Sequence, residues 1–267
     1  MEHIEFVAQF EKMIDNKIIG RPELIDTKIT FLGKNNILVC DNNVKLENAV
    51  LEFNGSNSIV YIGSNLNKNF RLIIYNNSAV YIGKNVKTGF SLNVTALEGH
   101  NVIIGDDCIL NDNVCISNSD GYSFYNSNSK EKFNFSSSIL IGDHVYLGNN
   151  VHISKGVNVG SGSIIDNSSF VSSYDKVPSN CYLSGNPAKI IKNEVFFTND
   201  FTGPYRNEDI LNSKDYKSDV FIYEKVNQET LSFESIDKIL NDLDVESRWE
   251  FIQKLFIRNK RRNRFSL

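Results

Sequence analysis

The sequence predicts an all-β solenoid, and the first of two repeating patterns lies between residues 141 and 171. An aliphatic residue recurs there at every sixth position: Ile141, Leu147, Ile153, Val159, Ile165 and Val171. Four places after each of the first five stands a small or β-branched residue: Val145, Val151, Val157, Ser163 and Ser169. A helix or an alternating strand does not produce this spacing, whereas stacked identical units do. The repeat matches that of a left-handed parallel β-helix, in which three hexads close one coil and the aliphatic residues point inward.

The second pattern has a longer period and covers residues 33–120. Similar segments recur with turn positions at 41, 63, 83 and 105, which are 22, 20 and 22 residues apart: Leu38-Val39-Cys40-Asp41, Val60-Tyr61-Ile62-Gly63, Val80-Tyr81-Ile82-Gly83 and Ile103-Ile104-Gly105. Each interval fits one coil of about eighteen residues with a small bulge. Asparagine-rich turns between the segments tolerate a left-handed backbone. We therefore expect one β-helix over residues 23–193.

The start of the chain carries a helix-like pattern. Apolar residues fall at spacings of three and four, which makes one stripe along a helix: Ile4, Val7, Phe10, Met13, Ile14 and Ile18. Gly20-Arg21-Pro22 then breaks the pattern. We expect an N-terminal capping helix over residues 1–22, which would cover the open end of the solenoid or, alternatively, contact a partner.

Residues 118–138 hold no repeat and interrupt the hexads. A solenoid accommodates such an insertion as a loop that protrudes from one corner. Long loops on rigid scaffolds are frequent locations of binding and catalytic residues. We therefore expect the functional site near this loop.

The C-terminal part, residues 194–267, predicts an irregular segment followed by two helices. One helix is expected over about 233–243, with Ser232 as its cap and an apolar face of Ile236, Ile239, Leu240 and Leu243. The other is expected over about 246–260, with an apolar face of Trp249, Ile252, Leu255 and Phe256. The basic cluster from Arg258 to Arg264 indicates a solvated helix end. Peripheral contact with an anionic membrane or with glycan-assembly proteins is the alternative.

Composition and charge argue against a disordered chain, a nucleic-acid-binding protein and a membrane protein. Hydrophobic residues make up 41% of the 267 residues, which supports a packed core, and the formal net charge of −4 argues against a nucleic-acid partner. No apolar run approaches the roughly 20 residues of a membrane helix. The acidic start of the chain lacks the apolar segment of a signal peptide, so we expect a cytoplasmic protein. The four cysteines show no metal-ligand spacing, and Cys40 and Cys108 fall at inward positions.

The hexads and three further motifs resemble the hexapeptide-repeat acyltransferases, in particular the bacterial capsule and cell-surface polysaccharide O-acetyltransferases. These motifs are Ser119-Asp120-Gly121, Ile141-Gly142-Asp143-His144-Val145-Tyr146-Leu147-Gly148 and Ser184-Gly185-Asn186-Pro187-Ala188-Lys189. The clear similarity covers residues 99–193. It implies a homotrimer that uses acetyl-CoA as co-substrate, with no metal, and binds a glycan acceptor near the loop. Acetyl-CoA would lie along residues 141–190, in contact with Lys155, Ser184, Gly185, Asn186, Ala188 and Lys189.

The resemblance also implies a catalytic histidine in the loop, which removes the proton from the sugar hydroxyl. Tyr122 occupies that position here, and a tyrosine, with an ordinary pKa of about 10, is a poor base at neutral pH. Tyr146 stands where the polysaccharide enzymes tend to carry tryptophan. We expect Asp120, Tyr122, His144 and Tyr146 to form the catalytic site. His144 is the best substitute base by sequence, because it belongs to the first hexad after the loop.

The sequence leaves more than one function open. The first is an active O-acetyltransferase of a bacterial surface glycan. The second is a catalytically impaired homologue that serves as a scaffold or regulatory partner, which the missing loop histidine favours. A sugar-nucleotide N-acetyltransferase ranks lower, because such relatives usually add a nucleotide-binding α/β unit. The remaining histidines are His3 in the leading helix, His100 in a turn and His152 on an outward face. Whether any histidine reaches the loop discriminates the first two functions.

Overall fold

The computed structural model describes residues 2–4, 13–65, 68–172 and 176–267, and in these the chain winds into a three-sided parallel β-helix. Each coil runs through face B, then face C, then face A. Strands of successive coils pair in parallel. Among the described strands, the antiparallel pairs lie at the two ends of the β-structure: Glu2–Ile4 with Lys28–Phe31, and Cys181–Gly185 with Ala188–Asn193.

The strands of face A are β1 (Glu2–Ile4), β4 (Lys28–Phe31), β7 (Val50–Phe53), β9 (Phe70–Ile74), β12 (Leu92–Ala96), β15 (Val114–Ser117), β18 (His152–Ile153) and β21 (Phe170–Val171). The strands of face B are β2 (Lys17–Ile19), β5 (Ile37–Cys40), β8 (Ile59–Ile62), β10 (Ala79–Ile82), β13 (Val102–Ile104), β16 (Ile139–Ile141), β19 (Asn158–Val159) and β22 (Lys176–Val177). Face C carries two sheets. One consists of β3 (Glu23–Ile25) and β6 (Lys45–Glu47), and the other consists of β11 (Lys87–Thr88), β14 (Ile109–Leu110), β17 (Tyr146–Leu147), β20 (Ile164–Ile165), β23 (Cys181–Gly185) and β24 (Ala188–Asn193).

The register of face B confirms the predicted coil period. Cys40 pairs with Ile62, Ile62 with Ile82, Ile82 with Ile104, and Ile104 with Ile141 across the loop. The six aliphatic residues of the strict hexads are at most 1% exposed and form one core with the earlier coils. Cys40 and Cys108 belong to that core, as predicted. Hydrophobic burial along the axis therefore stabilises the stack of coils.

The predicted N-terminal helix is wrong at both of its described ends. Glu2–Ile4 is strand β1, antiparallel to β4, and Lys17–Ile19 is strand β2, parallel to β5, so the ladder begins before the expected boundary at residue 23. Residues 5–12 of the expected helix lie outside the described residues. An open end of a β-helix presents unpaired backbone groups, which an added strand satisfies and a packed helix does not.

The C-terminal extension builds a second hydrophobic core on the outer side of face B. Helix α2 (Phe233–Asp242) begins at the predicted cap Ser232, whose hydroxyl accepts a hydrogen bond from the Ser235 amide. Helix α3 (Val245–Ile252) continues into one π-helical turn, Gln253–Ile257. These helices cover outward-facing residues of successive coils: Ile37, Val39, Ile59, Tyr61, Ala79, Tyr81, Ile103 and Leu140. Face B is therefore buried on both sides from β5 to β16.

Two details of the C-terminal prediction are corrected. Ile239, placed on the apolar face of its helix, is 41% exposed. The basic cluster is not simply a solvated helix end: Arg261 donates to the carbonyl of Gln228, and Arg262 donates to carbonyls of the segment before α2. Arg264 is buried. These guanidinium groups satisfy carbonyls and carboxylates that the fold brings near them. A short helix, α1 (Asn207–Asn212), precedes them and buries no residue.

Among the described residues, no helix is both long and apolar enough to cross a membrane.

Candidate functional site

The loop of residues 118–138 leaves the corner between faces A and B, after β15 and before β16, and it folds on itself. Tyr125 and Lys132 form an antiparallel bridge, and the Phe133 amide donates to the carbonyl of Phe124. The side chain of Asn134 ties this hairpin to the start of the loop. Its amide donates to Asp120 Oδ2 and to the Tyr122 carbonyl, each at 2.7 Å, and its oxygen accepts from the Phe124 amide. The loop therefore has a defined conformation.

Two ion pairs attach the loop to neighbouring coils. Lys155, at the same corner one coil further on, donates from Nζ to Asp120 Oδ2. On the preceding coil, Glu98 accepts from Ser136 Oγ at 2.5 Å and from Lys132 Nζ at 3.2 Å. Burial alone would raise the pKa of Asp120, but the hydrogen bonds from Lys155 and Asn134 outweigh it and lower that pKa. Asp120 is therefore an ionised anchor of the loop at neutral pH.

The loop presents aromatic side chains to solvent. Tyr122 is 82% exposed, and its exposed aromatic neighbours are Phe124, Tyr125, Phe133 and Phe135. The rings of Phe124 and Phe133 lie 6.1 Å apart across the hairpin. Tyr122, at the position that the resemblance assigns to a catalytic histidine, is thus accessible to an acceptor.

Tyr146 lies away from the loop, on face C. Its hydroxyl accepts a hydrogen bond from Asn111 Nδ2 at 2.7 Å, and its ring packs edge-on against Phe197 at 5.7 Å. The residue is half-buried. The loop leaves the β-helix at a different place, the corner between faces A and B. Among the described residues of one chain, Tyr146 and Tyr122 therefore do not contact each other.

His144 is buried inside the C-terminal extension. Its ring is stacked between Phe197, at 4.0 Å, and Phe221, at 4.3 Å, and is 1% exposed. Nε2–H donates to the Phe197 carbonyl at 2.9 Å, and Nδ1 has no partner in the described part of the chain. Burial lowers the pKa of His144, against the opposing effects of the Phe197 carbonyl and Asp107. The imidazole is therefore closed off from a sugar hydroxyl, and the geometry favours a structural role.

The two other histidines with described side chains lie on face A or at its corner with face B. His100 lies in the turn before β13, and its Nδ1 is buried without a partner among the described residues. His152 begins β18 and packs against the ring of Phe170 at 5.1 Å. Over the described residues, no histidine forms a hydrogen bond with a loop residue. The side chain of His3 lies outside the described residues.

The expected acetyl-CoA contacts fall into two separate places. Lys155 lies at the corner of faces A and B, where Asp120 engages it. Ser184, Gly185, Asn186, Ala188 and Lys189 form the β23–β24 hairpin at the end of face C. Ser184 Oγ donates to Asp166 at 3.1 Å, and the Gly185 amide donates to Ser169 Oγ at 3.2 Å. Asn186 and Lys189 are exposed, whereas Ala188 is buried.

The described cysteines and acidic residues were compared with the needs of a metal site and of a thiol nucleophile. The described residues contain no group of three or more His, Cys, Asp or Glu side chains that could hold a metal ion. Burial raises the pKa of Cys40 to about 12 and raises the pKa of Cys108 as well. A thiol that stays protonated is a poor nucleophile.

Comparisons with known proteins show to which family the chain belongs. The crystal structure of the polySia-specific acetyltransferase NeuO matches 75% of this chain and 90% of its own, at 31% sequence identity and a TM-score of 0.60. The chain belongs to the hexapeptide-repeat acyltransferase family that contains the polysialic acid O-acetyltransferases. No protein-family model matches the chain.

Further members of this acyltransferase family share the fold or part of the sequence. The structure of the polysialic acid O-acetyltransferase OatWY matches 74% of this chain and 95% of its own, at 25% identity and a TM-score of 0.65. A polysialic acid O-acetyltransferase of Escherichia coli O1:K1 is 41% identical over 97 residues, which are 36% of this chain and 31% of the relative. A Neisseria meningitidis enzyme of that name is 30% identical over 120 residues, which are 44% of this chain and 55% of the relative. The chain thus spans about a third and about half of these two curated relatives.

The left-handed parallel β-helix that the hexads predict is the fold of these acyltransferase structures, so the predicted fold class is confirmed. Sequence reasoning did not find the residues that hold the loop, namely Glu98, Asn134 and Ser136. Their only signal was position: Asn134 and Ser136 lie in the loop, and Glu98 lies in the turn one coil before it.

Proposed function

We propose that the protein is an acetyl-CoA-dependent O-acetyltransferase of a bacterial cell-surface glycan. The observation that carries this proposal is the loop at the corner of faces A and B. It is anchored through Asp120 and Glu98 and presents Tyr122 to solvent, within a chain that covers nine-tenths of a polySia-specific acetyltransferase. A rigid, aromatic-rich surface suits the faces of sugar rings. The first acceptor to test is a sialic acid polymer, because the relatives are named for it.

A homotrimer would explain why the candidate residues lie apart in one chain. Tyr122 belongs to the A–B corner and Tyr146 to face C. Packing the A–B corner of one copy against face C of the next would bring a loop over a neighbouring Tyr146. We propose that acetyl-CoA binds in the groove between two such copies. The exposed Lys189 and the backbone of the β23–β24 hairpin suit its phosphates.

The proposed reaction transfers the acetyl group directly. The acceptor hydroxyl loses its proton to a base as its oxygen attacks the thioester carbonyl, and the thiol of CoA leaves with a proton. Tyr122 and Tyr146 would orient the acceptor, and neighbouring hydrogen-bond donors would stabilise the oxyanion. We place this reaction in the cytoplasm, where acetyl-CoA is available.

The test combines binding with turnover. Calorimetry measures acetyl-CoA binding to the full chain, and thiol release with polysialic acid measures transfer, which mass spectrometry of the glycan verifies. Sedimentation measures the oligomeric state. We expect binding, acetylated glycan and a trimer. Acetyl-CoA binding without transfer to any of a panel of bacterial surface glycans would instead support the scaffold alternative, and absence of both would contradict the proposed function.

A further inference from the structure

Beside the loop, the described outward-facing side chains of face A are half-buried. The C-terminal helices cover the outer side of face B, as shown by the second core. On face A, an outward-facing row runs across four successive strands, because Asn93 pairs with Cys115, Cys115 with His152, and His152 with Phe170. His152 therefore stands near the middle of this row of half-buried side chains, one coil beyond the strand from which the loop departs.

The imidazole of His152 is available for chemistry. The residue is half-buried, and its ring lies against Phe170 at 5.1 Å with an angle of 47° between the ring planes. Within the described part of the chain, the ring forms no hydrogen bond. His144, by contrast, is enclosed between two aromatic rings, and His100 has a buried Nδ1. Of the three described imidazoles, His152 combines a supporting ring with an open side.

A short segment connects His152 to the loop. Lys155 follows three residues later at the A–B corner, and its ammonium binds Asp120, two residues before Tyr122. The strand that carries His152 is thus the one whose end anchors the loop. A substrate held between the loop and face A would lie beside the imidazole.

We propose that His152 is the general base of the transferase, in place of the histidine that the loop lacks. This inference rests on the proposed acetyltransferase function. The His152 imidazole takes the proton of the acceptor hydroxyl while the oxygen forms a bond to the thioester carbonyl carbon. The C–S bond then breaks, and the imidazolium returns the proton to the departing CoA thiolate. Proton, acetyl group and electron pairs are balanced without any further reactant.

The surroundings of His152 suit this role. Burial lowers its pKa, so the ring is neutral at pH 7 and can accept a proton. The titratable group that faces it from β15 is Cys115, whose pKa is raised by burial and which stays an uncharged thiol. The strand on the other side, β21, contributes the uncharged Phe170. Lys155 is the nearby charge on the same segment, and Asp120 neutralises it.

The experiment compares His152→Gln with the unaltered full chain and with His100→Gln as the matched control. Thiol release from acetyl-CoA is measured with polysialic acid as acceptor from pH 5 to 9, and calorimetry measures acetyl-CoA binding. We expect His152→Gln to bind acetyl-CoA normally, to lose about 10²- to 10⁴-fold in kcat/KM and to lose the acid limb of the pH profile. The control, His100→Gln, should keep the acetyl-CoA binding, the kcat/KM and the acid limb of the unaltered protein. Added imidazole should restore part of the activity of His152→Ala.

Three outcomes would overturn the inference. If His152→Gln keeps the kcat/KM and the acid limb of the active unaltered protein, the base lies elsewhere. If it loses acetyl-CoA binding in proportion to activity, His152 belongs to the donor site and is not the base. If circular dichroism shows that the His152 variants are folded but imidazole restores nothing, proton transfer is not what was lost. Failure of the unaltered protein to bind and turn over acetyl-CoA would reject the proposed function itself, which separates the two tests.

Discussion

Arg264 binds Asp143 through two parallel hydrogen bonds, from Nε to Oδ2 and from Nη2 to Oδ1, each 2.7 Å long. The guanidinium also lies 3.1 Å from Asp106 Oδ2, on the preceding coil. Burial alone would lower the pKa of Arg264, but its hydrogen bonds and the two carboxylates outweigh this and raise it. One buried cation thus joins the C-terminal tail to the B–C corner of two coils.

Replacement of Arg264 by methionine should lower the free energy of unfolding by about 3–5 kcal/mol, because it leaves the buried Asp143 carboxylate without its cation. Denaturant unfolding followed by circular dichroism measures the change. Arg258→Met, at an exposed position of the same basic cluster, should stay within about 0.5 kcal/mol. The double variant with Asp143→Asn should recover part of the loss. An equal effect of both single arginine variants would contradict the buried pair.

His144 predicts a pH dependence of stability. The pKa of His144 is lower in the folded chain than in the unfolded chain. The stabilising contribution of its neutral ring to the free energy of unfolding is therefore fully present above the unfolded pKa of 6.5. That contribution is lost as the pH falls through the folded value, because the unfolded chain binds the proton more readily. His144→Phe should flatten this part of the curve of unfolding free energy between pH 7 and 5. His100→Phe is the comparison, and unchanged curvature in His144→Phe would contradict the prediction.

Asn134 should control the order of the loop more than the stability of the protein. Asn134→Ala removes three hydrogen bonds that join the loop's two ends. We expect faster hydrogen exchange at the amides of residues 121–126 and a fall in kcat/KM of about 10²-fold, since small displacements of positioning residues reduce rates strongly. Asn128→Ala is the control, because the side chain of Asn128, in the same loop, forms no hydrogen bond with the described residues. Equal exchange rates in both variants would remove the basis for this prediction.

Phe256 should be essential for attachment of the helices to face B. Its ring is fully buried and packs against Tyr81 at 4.8 Å and Phe265 at 5.7 Å. Phe256→Ala should lower the free energy of unfolding by about 3–5 kcal/mol, because it leaves a cavity between helix and sheet. Ile239→Ala, at an exposed position of α2, should change it by less than about 1 kcal/mol. Limited proteolysis should then cleave the C-terminal extension first in the phenylalanine variant.

Local patterns in the sequence predict the fold of this protein well. The hexads from Ile141 to Val171 specify inward positions because six residues span one face of a coil, and a buried aliphatic residue is needed at each repeat. The longer spacing from Cys40 to Ile104 specifies the coil period in the same way. The C-terminal helices follow from the Ser232 cap and from the apolar spacing of Ile236 and Leu240. Each of these signals is a short motif or a fixed spacing that can be followed along the chain.

The candidate site depends on residues that are far apart in the chain and come together only on folding. Ile18 lies on a helix-like stripe, yet the ladder to Leu38 makes it part of a strand. His144 follows the loop closely in sequence, but Phe197 and Phe221, more than fifty residues away, enclose its ring. Asp120 meets Lys155 because stacking places successive A–B corners side by side. Periodic burial along the chain is enough to specify the β-helix and its core. The burial and the contacts of each histidine depend instead on residues that no local pattern brings together.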